Sequence, residues 1–330
     1  MLYKVGVFIA FSIFALTGCA RHDTNKPVSV IFDSDIGPDY DDVGAITILH
    51  VLEQKGEARI LATIASNKYE GIAAILNIFN TYFHRPEIPI GVPKGNAVSM
   101  RDSQHWTDTL LKRYPHAIKF NREVPGAVTL YRKVLAAQPD HSVTIVTVGF
   151  LTNIVGLLTS KGDSISPLTG EELIRKKVKL LVSMAGKYPS GKEFNIYNDT
   201  KSSKEALEHW PTKVIFSGFE IGEKIKTGLP LVNDKNIQHD PAKDVFTLCI
   251  PMAAADSAGR MSWDETAVLV AVRGYKPYFD IHPGRIRVAA DGSDTWDDKG
   301  KGQYYLVARE PASVVAHTIN RLMMQEPEKE

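Results

Sequence analysis

The sequence predicts an α/β fold, a single domain in which a mainly parallel sheet is flanked by helices. Three observations point there. Short apolar runs rich in Val, Ile and Leu alternate with segments of helical periodicity, the pattern of strand–helix–strand units. Those runs are continuously apolar, as strands covered on both faces are. No internal repeat or low-complexity linker divides the chain, and 330 residues, 44% of them hydrophobic, supply one large core. A formal net charge of +1 with no basic stripe excludes a nucleic-acid-binding class.

The elements begin after a leader. Lys4 precedes the apolar run VGVFIAFSIFAL (5–16), too short for a permanent membrane span and of the right length for the core of a signal peptide. Leu16-Thr17-Gly18-Cys19 follows and resembles a bacterial lipobox, in which the cysteine is lipidated and becomes the first residue of the mature chain. The resemblance implies a signal peptide over 1–18, a lipid-anchored tether over 19–27 and a place in the cell envelope. Ala20 is not the aspartate that marks inner-membrane retention, which favours the outer membrane. A simple secretory peptide with an incidental cysteine is the plainer alternative.

The domain is expected over 28–322 and a polar tail over 323–330. Predicted strands are VSVIF (28–32), ARILATIA (58–65), IPIGV (88–92), VTIVTVG (143–149), KLLVSMAG (179–186) and KVIFSG (213–218). Predicted helices lie between them at 43–54, 71–84, 126–136, 152–159 and 202–209. Cys249 is the only cysteine after Cys19, so the mature chain holds no internal disulfide. Within VFTLCIPMAAA it reads as a core residue. Oligomeric state stays open, and a homo-oligomer is compatible with the sequence.

The first strand runs into DSDIGPDYDD (33–42), five aspartates in ten positions. Carboxylates this close repel one another and raise one another's pKa unless a cation or strong donors compensate. The run sits beyond a strand's carboxyl end, where open α/β sheets bind ligands. An aspartate at a helix start caps free N–H groups and meets the positive end of the dipole, which accounts for Asp41 or Asp42. It does not account for Asp33 and Asp35, which alternate on the strand. A hard cation held by oxygen ligands accounts for the whole set, Ca²⁺ or Mg²⁺ rather than zinc. The ten histidines show no metal-binding spacing.

The strand-end DxD, a following glycine and an adjacent DD opening a helix resemble the inosine-uridine nucleoside hydrolase family, which cleaves the N-glycosidic bond of ribonucleosides using bound calcium. TIASNKYEG (63–71), VGFLTNI (148–154), EFNIYND (193–199) and SWDETAVL (262–269) agree in order and spacing, so the resemblance covers about residues 28–320. It implies that Asp35 is both a Ca²⁺ ligand and the general base for the attacking water. It implies further that Asp42, Asp264 and the Val148 carbonyl complete the protein ligands, that Asp41 faces the ribose 2′-hydroxyl, and that Asn67, Glu193 and Asn195 hold the other sugar hydroxyls. Asp33 is expected to support the loop. The inosine-uridine type has histidine before its last aspartate; here Trp263, as in purine-preferring members, is expected to stack on the base, which implies a purine riboside substrate.

Some residues depart from the pattern. Lys187 stands where some members carry an asparagine on the 5′ side, and Asp39 lies in a two-residue lengthening of the loop with no assigned role. His105 and Trp106 follow the third strand, where the family places a base-contacting side chain. DGSDTWDDKGKG (291–302) reads as a solvated hairpin rather than a second acidic metal site. Two other functions compete. One is a lipoprotein that binds nucleosides or ribosides without cleaving them. The other is a haloacid-dehalogenase-type phosphatase with Asp33 as nucleophile, Asp35 as acid and Mg²⁺ as partner. That reading needs Thr or Val where Gly37 stands, and it leaves Asp41 and Asp42 unexplained.

Overall fold

The computed structural model describes Met1 and residues 26–328, so Cys19 and the leader lie outside the described residues. Twelve strands follow in order: β1 (Val28–Ser34), β2 (Ala58–Ala65), β3 (Ile90–Gly91), β4 (Val143–Thr147), β5 (Val178–Met184), β6 (Ser190–Gly191), β7 (Val214–Ser217), β8 (Lys226–Thr227), β9 (Arg260–Met261), β10 (Phe279–Val288), β11 (Asp294–Asp297) and β12 (Gln303–Ala308). Ten form one sheet in the order β3-β2-β1-β4-β5-β7-β12-β10-β11-β6, while β8 and β9 pair separately. From β3 to β12 every pairing is parallel. The far end, β12-β10-β11-β6, is antiparallel.

All six predicted strands are present, the third reduced to two residues. The five predicted helices form at Asp41–Gln54, Ile72–Tyr82, Ala127–Ala136, Thr152–Leu158 and Thr200–His209. The 291–302 segment forms an antiparallel hairpin with β10, as expected, and departs from the solvated expectation at one acid. It contains β11, and Asp294 is buried there, accepting the backbone N–H of Lys187 at 3.1 Å. Cross-strand pairing with β6 and β10 covers Asp294, while Thr295 stays exposed and Trp296 and Asp297 half-buried.

Successive residues of β1 feed opposite faces of the sheet, as strand geometry requires. Val30 and Phe32 join one apolar layer, with Ile46, Ile75, Leu269 and Ile319 from four helices. Ile31 joins the other, with Leu130, Ile154, Leu173 and Leu207. Each such side chain contributes roughly 1.5–3 kcal/mol on burial. The helix Asp41–Gln54 is buried from Asp41 through Leu52 and meets protein on every side, which explains its weak amphipathic signal. Among the described residues no helix is long and apolar enough to cross a membrane.

Parallel strands put their carboxyl ends on one edge, and three backbone contacts knit that edge together. Val148 N–H donates to Asp33 O at 2.8 Å, and Ser66 N–H donates to Ser34 O at 2.8 Å. Gly149 then presses against Asp35: a Cβ there would lie 2.6 Å from Ser66 Oγ, 2.7 Å from Asp35 Cβ and against the Asp35 backbone nitrogen. Only glycine allows this approach. Gly149→Ala should therefore cost about 1–3 kcal/mol through overpacking, seen as a lower urea midpoint with an unchanged m-value. An unaltered midpoint would show that the Asp35 loop yields freely.

Candidate active site

At the edge formed by the ends of β1, β4, β5 and β7 lies a cavity of about 210 Å³, smaller than the roughly 300–1,000 Å³ of drug-sized clefts. One wall is acidic: Asp35, Asp39, Asp41, Asp42 and Asp264. A second consists of Val148, Glu193 and Asn195, and a third of Phe194, Phe219 and Trp263 with Met184.

Two helix N-termini create the acidic wall. Asp41 and Asp42 open the helix Asp41–Gln54, and Trp263 and Asp264 open the helix Trp263–Arg273. Asp41 links the two. Its Oδ2 accepts the backbone N–H groups of Trp263 at 3.1 Å and Asp264 at 3.2 Å, and its Oδ1 accepts from Arg260 Nη2 at 3.0 Å. An acid of one helix thus satisfies the otherwise orphaned donors of the other. Asp42 Oδ1 accepts from Ser34 Oγ at 2.5 Å and Ile36 N–H at 3.1 Å, whereas Oδ2 is buried and has no partner among the described residues.

Carboxylate oxygens of Asp41, Asp42 and Asp264 lie within 4.8 Å of one another. Burial, reinforced by the Asp41 charge, pushes the Asp42 carboxyl up to about 8. Burial and then the Asp39 charge push Asp41 up to about 7, against the pull of Arg260. Asp35 and Asp264 are also raised well above the usual carboxylate range, first by burial and then by the charges of Asp42 and Asp41 respectively. An orphaned, buried oxygen inside an all-oxygen donor set fits a hard divalent cation. The trio differs from the sequence expectation, which grouped Asp35 with Asp42 and Asp264. Asp35 lines the same cavity but stands outside the trio, and Asp41 is within it.

Glu193 caps the short helix Phe194–Asn198, accepting N–H groups of Asn195 at 2.8 Å and of Ile196 and Gly186 at 3.2 Å. Burial still raises its carboxyl to about 7. Asn195 reaches from the same turn towards the Val148 and Met184 carbonyls, at 3.4 and 3.3 Å. The cap therefore brings Glu193, Asn195 and the Val148 carbonyl to one wall.

Asn67 is not brought there. It is buried, and its amide is spent on backbone: Oδ1 accepts from Tyr69 N–H and Met100 N–H at 3.1 and 3.0 Å, while Nδ2 donates to Asp35 O and Met100 O at 3.1 and 2.6 Å. It straps the Met100 loop to Asp35 instead of facing the cavity. Asp33 also stays behind the wall, accepting from Tyr131 Oη at 2.8 Å and Asn153 Nδ2 at 3.1 Å. His105 is exposed and Trp106 wholly buried, and neither lines the cavity. Lys187 does not line it either; its Nζ lies over the Phe219 ring, 4.9 Å from the centroid.

Sequence reasoning missed Phe194, Phe219 and Arg260. Phe194 stands between two expected sugar-side residues, a signal that was available. Phe219 and Arg260 occur in SGFEIG and AGRMS, where nothing marks them. Trp263 is in the cavity wall, with its Nε1–H donated to Phe219 O at 2.8 Å and its ring tilted 32° against Phe219 at 5.1 Å. The indole thus offers ring surface, not a free donor.

Residues 30–324 match the protein family described as inosine-uridine preferring nucleoside hydrolase. No curated protein matches the chain in sequence. Among solved structures, the purine-preferring ribonucleoside hydrolase from Gardnerella vaginalis is similar at 18% identity and TM-score 0.71, over 89% of this chain and 98% of that one. An inosine-guanosine nucleoside hydrolase is similar at 18% identity and TM-score 0.70, again over 89% and 98%. The inosine-uridine preferring nucleoside hydrolase from Bacillus anthracis shares 14% identity at TM-score 0.67, over 90% and 99%. At these identities the likeness is one of fold.

Without a cation, the carboxylate trio should leave a pH signature. Folded, Asp41 and Asp42 keep their protons up to about 7 and 8, whereas unfolded aspartate loses its proton near about 4. These two carboxyls bind more protons in the folded state across that window, so their contribution to the stability of the cation-free protein should be greatest near pH 4 and be lost as pH rises through 8. Excess divalent cation should remove the loss by taking the protons' place. Urea midpoints from pH 4 to 8, with chelator and then with cation, measure this; a cation-free midpoint that stays flat or rises would refute it.

Proposed function

The chain belongs to the inosine-uridine preferring nucleoside hydrolase family, N-glycosyl hydrolases that release base and ribose from ribonucleosides, and from that premise we propose that it prefers purine ribosides and uses Ca²⁺. The observation that carries the reading is the placing of the unpartnered Asp42 Oδ2, the Asp41–Asp42–Asp264 trio and Asp35 on one wall of a small cavity with an aromatic wall. Calcium suits the site better than magnesium. Asp35, Asp42, Asp264 and the Val148 carbonyl, with Asp41 at their side, offer more protein oxygens than the one or two carboxylates Mg²⁺ usually takes, and Ca²⁺ accepts six to eight ligands.

Held by Asp35, Asp42, Asp264 and the Val148 carbonyl, the cation would supply a lowered pKa to a water in the site. Asp35, in the same wall, is placed to take a proton from the attacking water. Departure of the base leaves an oxocarbenium-like sugar, and carboxylates of the acidic wall stabilise its positive charge. Asp41, Glu193 and Asn195 hold the sugar hydroxyls, Glu193 being preset by three backbone donors. Asn67 supports this only at second hand, by seating Asp35. The aromatic wall takes the base. Because the Trp263 N–H is committed to Phe219, its contribution is stacking, worth roughly 1–3 kcal/mol for a base on an aromatic ring.

The address of the protein belongs to the same proposal. Cys19 is the lipid-bearing first residue of the mature chain, held at a membrane of the cell envelope. The lipobox-like LTGC and the apolar run before it support this.

A panel of nucleosides assayed for free ribose tests the reaction. Inosine and guanosine should turn over faster than uridine, chelation should abolish turnover and Ca²⁺ should restore it. Asp35→Asn should lose about 10²–10⁴-fold in kcat. Undiminished cleavage by stripped protein, or faster turnover of uridine, would reject the corresponding part. For the anchor, wild-type cells should incorporate labelled fatty acid into the protein and Cys19→Ser cells should not; label in both or in neither would end that proposal.

A further inference from the structure

Arg260 is 8% exposed and is not in the cavity wall, yet it touches residues of two walls. Its Nη2 pairs with Asp39 Oδ1 and with Asp41 Oδ1, at 3.0 Å for the latter. Its Nη1 lies 3.6 Å from Asp256 Oδ2, which also accepts the Tyr40 hydroxyl at 2.6 Å. Nε is buried and has no partner among the described residues. The guanidinium carbon lies 4.6 Å from the Tyr40 ring centroid and 5.0 Å from that of Trp263.

A buried guanidinium carries a large desolvation cost and is a poor source of stability for its own sake. Its use lies in geometry, since the planar fork fixes carboxylates and its face lies flat on aromatic rings. Here Nη2 engages both Asp39 and Asp41 of the acidic wall, Nη1 faces Asp256, and the guanidinium meets Trp263 in the aromatic wall. Asp39, which lies in the lengthened loop, and its neighbour Tyr40 both reach back to this group, so this stretch of loop and the arginine form one device. We infer that Arg260 is a positioning residue that fixes Asp41 and the Trp263 indole relative to one another, and so fixes sugar and base relative to the attacking water. This rests on the nucleoside hydrolase reading.

The competing account is charge balance alone, in which Arg260 merely offsets its acids. The full chain, labelled with 5-fluorotryptophan, separates the two. Of its four tryptophans, Trp263 is assigned by Trp263→Phe, and its ¹⁹F resonance reports the ring's surroundings without any turnover. In Arg260→Gln and in the charge-balanced Asp39→Asn/Arg260→Gln variant, the Trp263 resonance should shift or broaden while the other three hold. With inosine, kcat should fall about a hundredfold, the scale of a misplacement of about 1 Å. KM and Ca²⁺ affinity should change by less than about threefold, the pattern of an interaction felt in the transition state. Arg260→Lys keeps the charge but not the fork, and should remain about tenfold below wild type. Loss should be smaller on nitrophenyl riboside, whose leaving group needs no help from the aromatic wall. An unmoved Trp263 resonance, equal losses on both substrates, or full recovery in the double or lysine variant would overturn the inference. If the wild type cleaved no riboside, the reading of function would fall, while the ¹⁹F result would still decide whether Arg260 holds the ring.

Discussion

Crowding of buried like charge is the constraint on which the rest of this structure depends. Asp35, Asp39, Asp41, Asp42 and Asp264 face one cavity, and four of them are buried. Such a set survives folding only where fixed dipoles and donors meet it. Here two helix N-termini converge on it, and Ser34 Oγ and Ile36 N–H meet Asp42. Trp263 N–H, Asp264 N–H and Arg260 meet Asp41. None of these donors reaches Asp42 Oδ2, and that orphaned oxygen fits the wall to a cation better than to a closed core. Stability spent on the cluster is returned when a cation binds, because ligands that favour the folded state add their binding energy to folding.

The parallel half of the fold was legible because buried strands and their helices carry strong local patterns. β2 occupies the predicted segment, and β1 and β4 begin where expected. The antiparallel end was not, since β10 is half-exposed and interrupted by His282, Pro283 and Gly284, and β11 is a four-residue strand dominated by charge. Their strand character comes from pairing, which no local window records.

In the site, residues that act through position in a motif were readable, and those that act through burial were not. Asp35, Asp39, Asp41 and Asp42 of the aspartate run, with Glu193, Asn195 and Val148, all line the cavity, and only Asp33 stays behind it. Asn67 has the right residue type at the right strand end, but four backbone groups compete for its amide and win it. Arg260 shows the opposite case. An arginine among small residues reads as solvated, and only the fold reveals that Tyr40, Trp263 and three carboxylates enclose it. Trp263 lies between: its place was foreseeable, whereas the loss of its N–H to Phe219 was not.

The direction of β1 has a consequence for encounter with ligand. Its seven residues run from Val28 to Ser34, which leads directly to Asp35, a span of about 20 Å at roughly 3.3 Å per residue. The chain therefore enters the domain at the end of the sheet opposite the cavity. A contact made at Val28 itself would lie about the length of β1 away from the acidic wall.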